Sequence, residues 1–336
     1  MLEIHQETGC RLCPRKCGVL REGIVTAPKR ALCRASGKAE VALVSLHRWE
    51  EPCISGSQGA GTVFFSHCNL RCCFCQNHEI SAEGSGFAVT DERLAEIFLE
   101  QQSRGATCLE LVTPTHYVEN IIRALDIARS RGFSLRVAYN TNGYDLPETI
   151  GRLRGYVDMY MPDLKYFDSR YGERYSGVPH YFETASVAIR AMFDAVGPYR
   201  VGEDGLMRSG LIVRHLVLPG LWRDSCRCLD WLWENFGNDV CVSLMNQYMP
   251  LYKASRHPEI NRKLFTLEYQ KVVRHAESLG YRNCFIQIGE TAESKFIPVF
   301  DGTNVLRASD GSLFGPHVLF CATKRISKPA EGRHLE

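Results

Sequence analysis

The sequence contains no apolar run of the roughly 20 residues that a membrane-spanning helix requires, and no low-complexity tract or internal repeat. It has almost no net charge, since it contains 40 lysines and arginines and 38 aspartates and glutamates, which gives a net charge of +2. Chains that bind nucleic acid nonspecifically carry a basic excess, so nothing here indicates a nucleic-acid partner. The first ten residues lack a basic flank followed by an apolar stretch, so we expect no secretion signal and a cytoplasmic protein.

The composition is that of a folded protein. Hydrophobic residues make up 45% and charged residues 23% of the 336 positions, which excludes a disordered or fibrous chain. At about 150 residues per domain, this length suggests two domains, or one large domain with extensions. We divide the chain into a Cys-rich, loop-rich N-terminal extension over 1–57, a central domain over 58–290 and a C-terminal extension over 291–336.

Cysteine is the residue that the chain has in excess, with fifteen copies. Disulfides are rare in a reducing compartment, so cysteines that cluster by spacing indicate metal binding. Two groups are evident. We name Cys10, Cys13, Cys17 and Cys33 the N-terminal thiol set, and Cys68, Cys72 and Cys75 the cysteine triplet. Most of the scattered cysteines are expected to be small buried hydrophobes.

The central region alternates strand-like and helix-like segments, which predicts βαβ units and a parallel sheet. The fold class expected is therefore α/β, with a partial (β/α)6 TIM-like barrel. Chemistry in parallel barrels lies at the C-terminal ends of the strands. Polar residues fall at the ends of the predicted strands 61–68, 108–117, 133–143, 157–165, 210–220 and 239–248, namely at Cys68, Thr113–His116, Asn140–Asn142, Asp163–Lys165, Arg214–His215 and Asn246–Tyr248.

The cysteine triplet has the spacing C-x3-C-x2-C directly after the first predicted barrel strand. At this cysteine content about 0.03 chance matches are expected, so coincidence is disfavoured. Three thiolates bind three irons of a [4Fe–4S] cluster and leave the fourth iron open for substrate chemistry. A zinc site completed by Cys73 or His67 is the alternative.

The triplet, with an aromatic residue before its last cysteine, resembles the signature of the radical S-adenosylmethionine (SAM) superfamily. From about residue 10 to 303 the chain is similar to one branch, the uncharacterised iron–sulfur proteins related to pyruvate formate-lyase activating enzyme. The segments that carry this resemblance are HRWEEPCISG, GTVFFSHCNLRCCFCQNHEIS, LVTPTHY, YNTNGYD, VDMYMPDLKYFD, GLIVRHLVLPG, SLMNQYMPLY and FIPVFDGT.

The resemblance implies that the cysteine triplet holds the cluster and that the amino and carboxylate groups of SAM chelate the open iron. Reductive cleavage of SAM would then give methionine and a 5′-deoxyadenosyl radical, which abstracts hydrogen from a substrate. The cofactor carries this chemistry and the protein orients it, so we name no catalytic acid or base. Phe74 would shield the cluster, Cys73 would be a spectator, and His67 is better explained as a hydrogen-bonded histidine at a strand end.

The resemblance also implies roles for the other strand ends, each with a structural alternative. Thr113 and Thr115 would offer backbone carbonyls to the SAM amino group, or cap a broken strand. Asn140 and Thr141 would contact the ribose, or form a simple Asn-Gly turn. The remaining candidates for SAM are Asp163 and Lys165, which could instead be a structural ion pair, and His215, whose neighbour Arg214 would face the barrel or the substrate.

The N-terminal thiol set suits either zinc or a second iron–sulfur cluster, and buried thiols without metal are the alternative. Related families carry a glycine-rich turn before the last cysteine, and this chain has VTAPKRALC there, so Cys53 is a substitute for Cys33. A second cluster could relay electrons to the catalytic one.

Three functions are consistent with these residues. The first is a radical SAM enzyme acting on a protein glycine, as glycyl-radical activating enzymes do, and the second is radical SAM modification of a small molecule or RNA. The third is a non-catalytic iron–sulfur or zinc protein, which the open three-cysteine site disfavours. Either enzyme would need a low-potential electron donor such as flavodoxin or ferredoxin.

Overall fold

The computed structural model describes residues 9–21, 31–289, 292 and 297–307. The strands are β1 (Ala39–His47), β2 (Ala60–Phe65), β3 (Phe87–Val89), β4 (Leu109–Val112), β5 (Val137–Thr141), β6 (Met159–Pro162), β7 (Arg200–Val201), β8 (Met207–Leu216), β9 (Cys241–Met245) and β10 (Cys284–Ile286). The α-helices are α1 (Pro52–Ser55), α2 (Asp91–Ser103), α3 (Val118–Ser130), α4 (Pro147–Arg152), α5 (Ser169–Ser176), α6 (Tyr181–Val196), α7 (Trp222–Phe236) and α8 (Thr266–Leu279). Most of the predicted C-terminal extension lies outside these residues.

The strands form one open sheet in the order β10-β9-β8-β6-β5-β4-β2-β1-β3, and β7 pairs with β8. From β2 to β10 every neighbouring pair is parallel, and helices lie between successive strands in the chain. The expected partial (β/α)6 TIM-like architecture is confirmed. Its parallel strands all end at one edge, so the loops that follow them meet there.

The N-terminal side of the sheet corrects one expectation. Residues 39–47, predicted to lie in a loop-rich extension, form β1, which pairs antiparallel with both β2 and β3. The run from Val41 to Val44 is buried on both faces, so it lacks the alternation that identifies a half-exposed strand. The helix α5 was not predicted either.

Two predicted strands are shorter than expected because the backbone leaves extended geometry. After β2, His67 has φ of 72°, and after β4, Thr113 has φ of 58°. Both are left-handed conformations that a side chain with a Cβ adopts rarely, and such residues concentrate at functional sites. The polar ends of these strands therefore lie on bent loops, not on extended backbone.

The two faces of the sheet have separate cores. Strand residues such as Tyr139 and Tyr160 pack against the helices. On the inner face, Cys53 and Ile54 of α1 close one end of the barrel against strand residues, among them Ala138, Met159, Ile212 and Cys241. Within the described residues, no helix is both long and apolar enough to cross a bilayer.

Candidate active site

The cysteine triplet lies on the loop that leaves β2. His67 precedes it, and its Nε2 atom lies 3.0 Å from a carboxylate oxygen of Glu40, so this histidine has its partner within the fold, as expected. Gly84 is required beside it, since a Cβ there would lie 2.5 Å from the imidazole Cε1 atom. The positive φ of His67 turns the chain so that Cys68 begins the loop.

Hydrogen-bond donors surround the three sulfur atoms. Cys68 Sγ accepts from Asn142 Nδ2 at 3.3 Å and from the backbone N–H of Leu70 at 3.4 Å. The Sγ of Cys72 lies 3.1 Å from Ser176 Oγ, and that of Cys75 lies 3.2 Å from Ser81 Oγ. Hydrogen bonds to sulfur stabilise thiolates and tune the potential of a cluster that they ligate. These donors fit a triplet that carries negative charge.

The protein alone does not stabilise that charge. Burial, followed by the neighbouring thiol of Cys72, raises the pKa of Cys68 to about 12, and burial likewise raises the pKa of Cys75. A thiol with such a pKa stays protonated at neutral pH unless a cation compensates the thiolate. The donor set therefore fits a positively charged iron–sulfur core, which would supply this compensation.

Two residues inside the loop are buried rather than presented to a ligand. Cys73 donates its backbone N–H to Tyr175 and accepts from Lys253 through its carbonyl, each at 2.8 Å, and burial raises the pKa of its thiol to about 12. Phe74 packs edge-on against Tyr248, with ring centroids 5.6 Å apart. Phe74 is thus buried within the loop, and its role in shielding a cluster stays a prediction.

Asp163 and Lys165 form an ion pair directly after β6, with Nζ and Oδ2 2.5 Å apart. Burial opposes the charged ammonium, but the carboxylate of Asp163 and then the thiol of Cys72 outweigh it, so the pKa of Lys165 is raised. Lys165 therefore stays protonated and lies within electrostatic range of the cysteine triplet. A cation beside the triplet and a carboxylate beside the cation are both available to a zwitterionic ligand.

The ends of β4 and β5 are tied together by a buried carboxylate that the sequence interpretation missed. Asp145 accepts hydrogen bonds from the hydroxyls of Thr115, at 2.8 Å, and Thr141. Burial raises the pKa of this carboxyl. The two hydroxyls are thus engaged within the fold, so neither side chain is free to meet a cofactor. Thr113 donates its N–H to the carbonyl of Asn140 at 2.9 Å.

The adjacent residues Arg214 and His215 lie in two different environments. Arg214 faces the barrel interior and pairs with Glu50 and Glu51. His215 donates through Nδ1 to the Leu164 carbonyl at 2.6 Å, while its buried Nε2 has no hydrogen-bond partner among the described residues. Burial lowers the pKa of this imidazole to about 4, so it is neutral. An unpartnered buried nitrogen beside Asp163 and Lys165 fits a ligand that supplies the missing hydrogen bond.

The barrel interior holds a charged cluster that strand-end reasoning did not identify. Glu110, in the middle of β4, accepts from Asn140 Nδ2 at 2.7 Å and from Thr62 Oγ1 at 2.8 Å. Asn140 therefore points at a carboxylate rather than standing free at the strand end. Burial, and then the charge of Glu50, raises the pKa of Glu110 to about 8. Together with Glu50, Glu51 and Arg214, Glu110 forms what we name the lumen cluster.

The raised pKa of Glu110 predicts a pH effect on stability. Between about pH 4.5 and 8 the folded chain holds a proton on Glu110 that the unfolded chain has lost. The contribution of Glu110 to the free energy of unfolding therefore falls as the pH rises through that window. We expect the free energy of unfolding of the wild type, relative to Glu110→Gln, to decrease by about 1 kcal/mol per pH unit there. Urea unfolding at several pH values measures it.

The variant is a fair control for that effect, because glutamine keeps the acceptor for Asn140, and the Thr62 hydroxyl can turn to the Ala60 carbonyl 3.3 Å away. Parallel pH curves for wild type and variant would show that Glu110 ionises normally in the folded protein.

The N-terminal thiol set lies together beside the triplet loop. Cys13 and Cys33 are buried. Cys17 packs against the core to which Cys33 belongs, and Cys68 and Cys72 pack against that core as well. Cys53, the alternative to Cys33, lies instead in the inner core with Cys108 and Cys241, so it is not the fourth member. Within the described ranges, no three His, Cys, Asp or Glu side chains converge on one point as the ligands of a single ion do.

The central part of the chain is similar to known proteins. Residues 62–202, which begin shortly before the cysteine triplet, match the radical SAM superfamily. An uncharacterised protein of Methanocaldococcus jannaschii is 29% identical over 279 residues, which are 80% of this chain and 74% of that protein.

Two solved structures are similar at low identity. Streptococcus suis SuiB is 14% identical over 69% of this chain, with a TM-score of 0.46, and the chain spans about half of SuiB, at 49%. A domain of pyruvate-formate lyase-activating enzyme from Bacteroides vulgatus is 15% identical over 51% of this chain and 93% of its own, with a TM-score of 0.37. The branch related to that activating enzyme stays a prediction.

Proposed function

We propose that this protein reductively cleaves SAM at a [4Fe–4S] cluster and uses the resulting radical to abstract hydrogen from a substrate. The observation that carries the proposal is the cysteine triplet itself: three thiols with hydrogen-bond donors, on a loop at the strand ends of a radical SAM domain. Anaerobic reconstitution with iron and sulfide, followed by dithionite and SAM, tests it by chromatography of 5′-deoxyadenosine.

Each member of the triplet would ligate one iron, and the bound cluster would supply the electron that divides SAM into methionine and the 5′-deoxyadenosyl radical. The chain's own task is to hold the sulfur atoms and keep water away. Asn142 and the N–H of Leu70 hold Cys68 by hydrogen bonds, and two serines hold the other sulfurs. Phe74, packed on Tyr248, covers the loop.

SAM is proposed to lie across the ends of β4, β5, β6 and β8. Its carboxylate and hydroxyls are complementary to Lys165 and Asp163, which face the triplet. The Nε2 atom of His215 can accept a hydrogen bond from a hydroxyl of SAM at the same strand edge, since the ring proton is on Nδ1. The backbone bends at Thr113, where φ is positive, and the carbonyl of Thr113 is proposed to accept a hydrogen bond from the amino group of SAM. Thr115, Asn140 and Thr141 would contribute through backbone atoms, since their side chains have partners in the fold.

Removing either member of the Asp163–Lys165 pair is expected to weaken SAM binding. Losing a partner to a charged or buried polar group costs roughly 1–3 kcal/mol, which corresponds to about a 5- to 150-fold increase in Kd. Asp163→Asn and Lys165→Met keep the side-chain size and remove the charge. Because the two groups pair with each other, the double variant should lose less than the sum of the single losses. Isothermal titration of the reconstituted protein measures the three affinities.

The exposed pair of Asp204 and Arg208 serves as the control, since Asp204→Asn removes a similar ion pair away from the strand ends. SAM affinity equal to wild type in all three Asp163 and Lys165 variants would mean that this pair is structural or faces the substrate.

The substrate is proposed to reach the barrel through the open sheet, and a protein glycine is our first hypothesis. A folded protein must insert a loop, and an open parallel sheet leaves room for one, whereas a closed barrel does not. A cavity of about 790 Å³ also opens beside the ends of β9 and β10, with Asn246 and Tyr248 in its wall. Gln76, next to the triplet, donates to the Gln247 carbonyl at 2.8 Å, so this cavity adjoins the cluster loop.

The electron donor is proposed to be a low-potential protein such as flavodoxin or ferredoxin, in the cytoplasm. All fourteen cysteines in the described part of the chain are free thiols, which suits a reducing compartment.

Incubating the reduced enzyme and SAM with a candidate glycyl-radical protein would give a glycyl radical signal by electron paramagnetic resonance if the substrate is a protein glycine. 5′-Deoxyadenosine formation without that signal would favour a small molecule or RNA.

A further inference from the structure

We propose that the N-terminal thiol set binds a second metal centre through four thiolates, and that this centre fastens the N-terminal segment to the triplet loop. The inference stands independently of SAM chemistry, because its four thiols lie outside the segment that matches the radical SAM superfamily. The metal is one that prefers thiolates, either zinc or an iron–sulfur cluster.

The first argument is the fold of the loop that carries three of the thiols. Cys10 donates its N–H to the Val19 carbonyl and accepts from the Gly18 N–H, each at 3.0 Å, so the chain closes on itself. Inside this loop, Lys16 donates to the Cys13 carbonyl at 2.9 Å and makes a tight turn. The Sγ of Cys17 points back toward the carbonyl of Cys10, at 3.9 Å. The closure brings three cysteines of one short segment together.

Glycine is required where the loop closes. Gly9 has φ of 65°, and a Cβ on it would lie 2.1 Å from the carbonyl oxygen of Gly18. Gly18 has φ of 64° itself. Because glycine has no Cβ, the two glycines allow the backbone segments at the closure to approach each other closely.

The second argument is the set of donors around the sulfur atoms. The thiols of Cys10 and Cys13 each accept a backbone N–H from two residues further on, Leu12 and Arg15. Cys33 Sγ lies 3.8 Å from the guanidinium of Arg21. The positive charge of the same arginine favours the thiolate form of Cys10. Cys10, Cys17 and Cys33 all lie close enough to Cys13 to raise the pKa of its thiol. Cys33 is therefore near the three cysteines of the loop, although it follows them in the sequence by sixteen or more residues. Donors that point at sulfur prepare it for the thiolate state that metal binding requires.

The third argument is how the segment docks. Arg15, two residues after Cys13, donates to the Asn69 carbonyl at 2.5 Å and to the Gly177 carbonyl at 2.9 Å. In the opposite direction, Arg71 of the triplet loop donates to the Cys68 carbonyl at 2.7 Å and to the Leu32 carbonyl beside Cys33. The two arginines thus connect the thiol set and the triplet loop reciprocally.

A metal explains how this segment keeps its shape. Residues 9–21 and 31–38 contain no helix or strand, yet Cys13 and Cys33 are buried at 7% and 5% exposure. A segment this small cannot bury enough apolar surface to fix its own loops, and metal ligation supplies the missing free energy. Because the four sulfurs do not converge on one point, zinc would draw them together on binding, whereas a cluster takes one thiolate per iron.

Metal analysis of the full-length variant with the triplet changed to alanine tests the proposal, because that variant lacks the ligands of the first cluster and keeps the whole N-terminal thiol set. Expression in medium with iron and zinc, followed by anaerobic purification and elemental analysis, should give either one zinc or about four irons per chain. Either result supports the centre and identifies its metal. Absence of both metals from a variant that retains the wild-type circular dichroism spectrum overturns it.

A second variant keeps the test valid if the triplet variant fails to fold. Cys10→Ser with Cys13→Ser, in the otherwise native chain, should lose one zinc or four irons per chain relative to wild type, and keep the irons of the triplet. Cys226→Ser on α7 is the matched control and should lose none. Equal metal content in all three proteins would contradict the proposal.

Discussion

Replacing Cys68, Cys72 and Cys75 with alanine is expected to abolish reductive cleavage of SAM. Each thiolate would hold a different iron of the cluster, so the triple variant has no protein ligand left at that site. Without the cluster no electron can reach SAM, and the loss should be complete, down to the background of dithionite and SAM alone. Chromatography of 5′-deoxyadenosine after anaerobic reconstitution measures it, and the iron content should fall by about four per chain.

Cys73→Ala is the matched control for this prediction, because it removes a neighbouring thiol that is buried away from the donors around the triplet. It should retain most of the wild-type cleavage. If the triple variant still forms 5′-deoxyadenosine above background, the cluster lies elsewhere and the N-terminal thiol set becomes the candidate. If Cys73→Ala alone abolishes cleavage while folding normally, Cys73 is a ligand and the triplet is misassigned.

The sequence was enough to predict the parallel architecture and the place of the triplet. Alternation of strands and helices is a local property, and it requires the strand ends to share one edge. Cys68, Asp163 and Lys165 follow their strands directly, so their common location depended only on finding those strands. The matched radical SAM segment and the open parallel sheet agree with that reasoning.

Contacts between distant segments could not be predicted in this way. Asp145 follows β5 and looks like a turn residue in the sequence, but it is buried and bonded to Thr115, thirty positions earlier. Asn142 reaches Cys68 across 74 positions. Neither pairing has a periodic or spacing signal, because each depends on how two loops meet after the strands have paired. The strand β1 was missed because its run of apolar residues has no alternation.

The lumen cluster is the largest feature that sequence reasoning missed. Glu50 and Glu51 precede α1, and Arg214 lies more than 160 positions later on β8. Alternation along β8 indicated that one residue of the pair Arg214–His215 faces inward, but nothing local identified carboxylates as its partners. The structure shows three acidic side chains around one guanidinium inside the barrel, with Glu110 fully buried.

That arrangement predicts a large loss of stability for Arg214→Met. Both Glu50 and Glu51 pair with the guanidinium, and Arg214 is the first group that holds the pKa of Glu51 down against the opposing effect of burial. Removing one partner of a buried ion pair leaves an uncompensated charge and costs about 3–5 kcal/mol. We therefore expect the free energy of unfolding at pH 8 to fall by about that amount, measured by urea unfolding.

The deficit should shrink as pH falls, which separates a charge effect from a packing defect. In the variant the buried carboxylates have raised pKa values, so protons bind to the folded state first and relieve the repulsion as the pH is lowered. Adding Glu50→Gln and Glu51→Gln to Arg214→Met should restore much of the stability, since no unpaired charge then remains in that part of the lumen. Arg208→Met, which breaks only the exposed pair with Asp204, should cost under about 1 kcal/mol at every pH. A deficit for Arg214→Met as small as that of Arg208→Met would show that water already compensates the lumen carboxylates and that the barrel interior is open to solvent. A large deficit that is the same at pH 5.5 and pH 8 would show that the variant has a packing defect and that unpaired charge is not its cause.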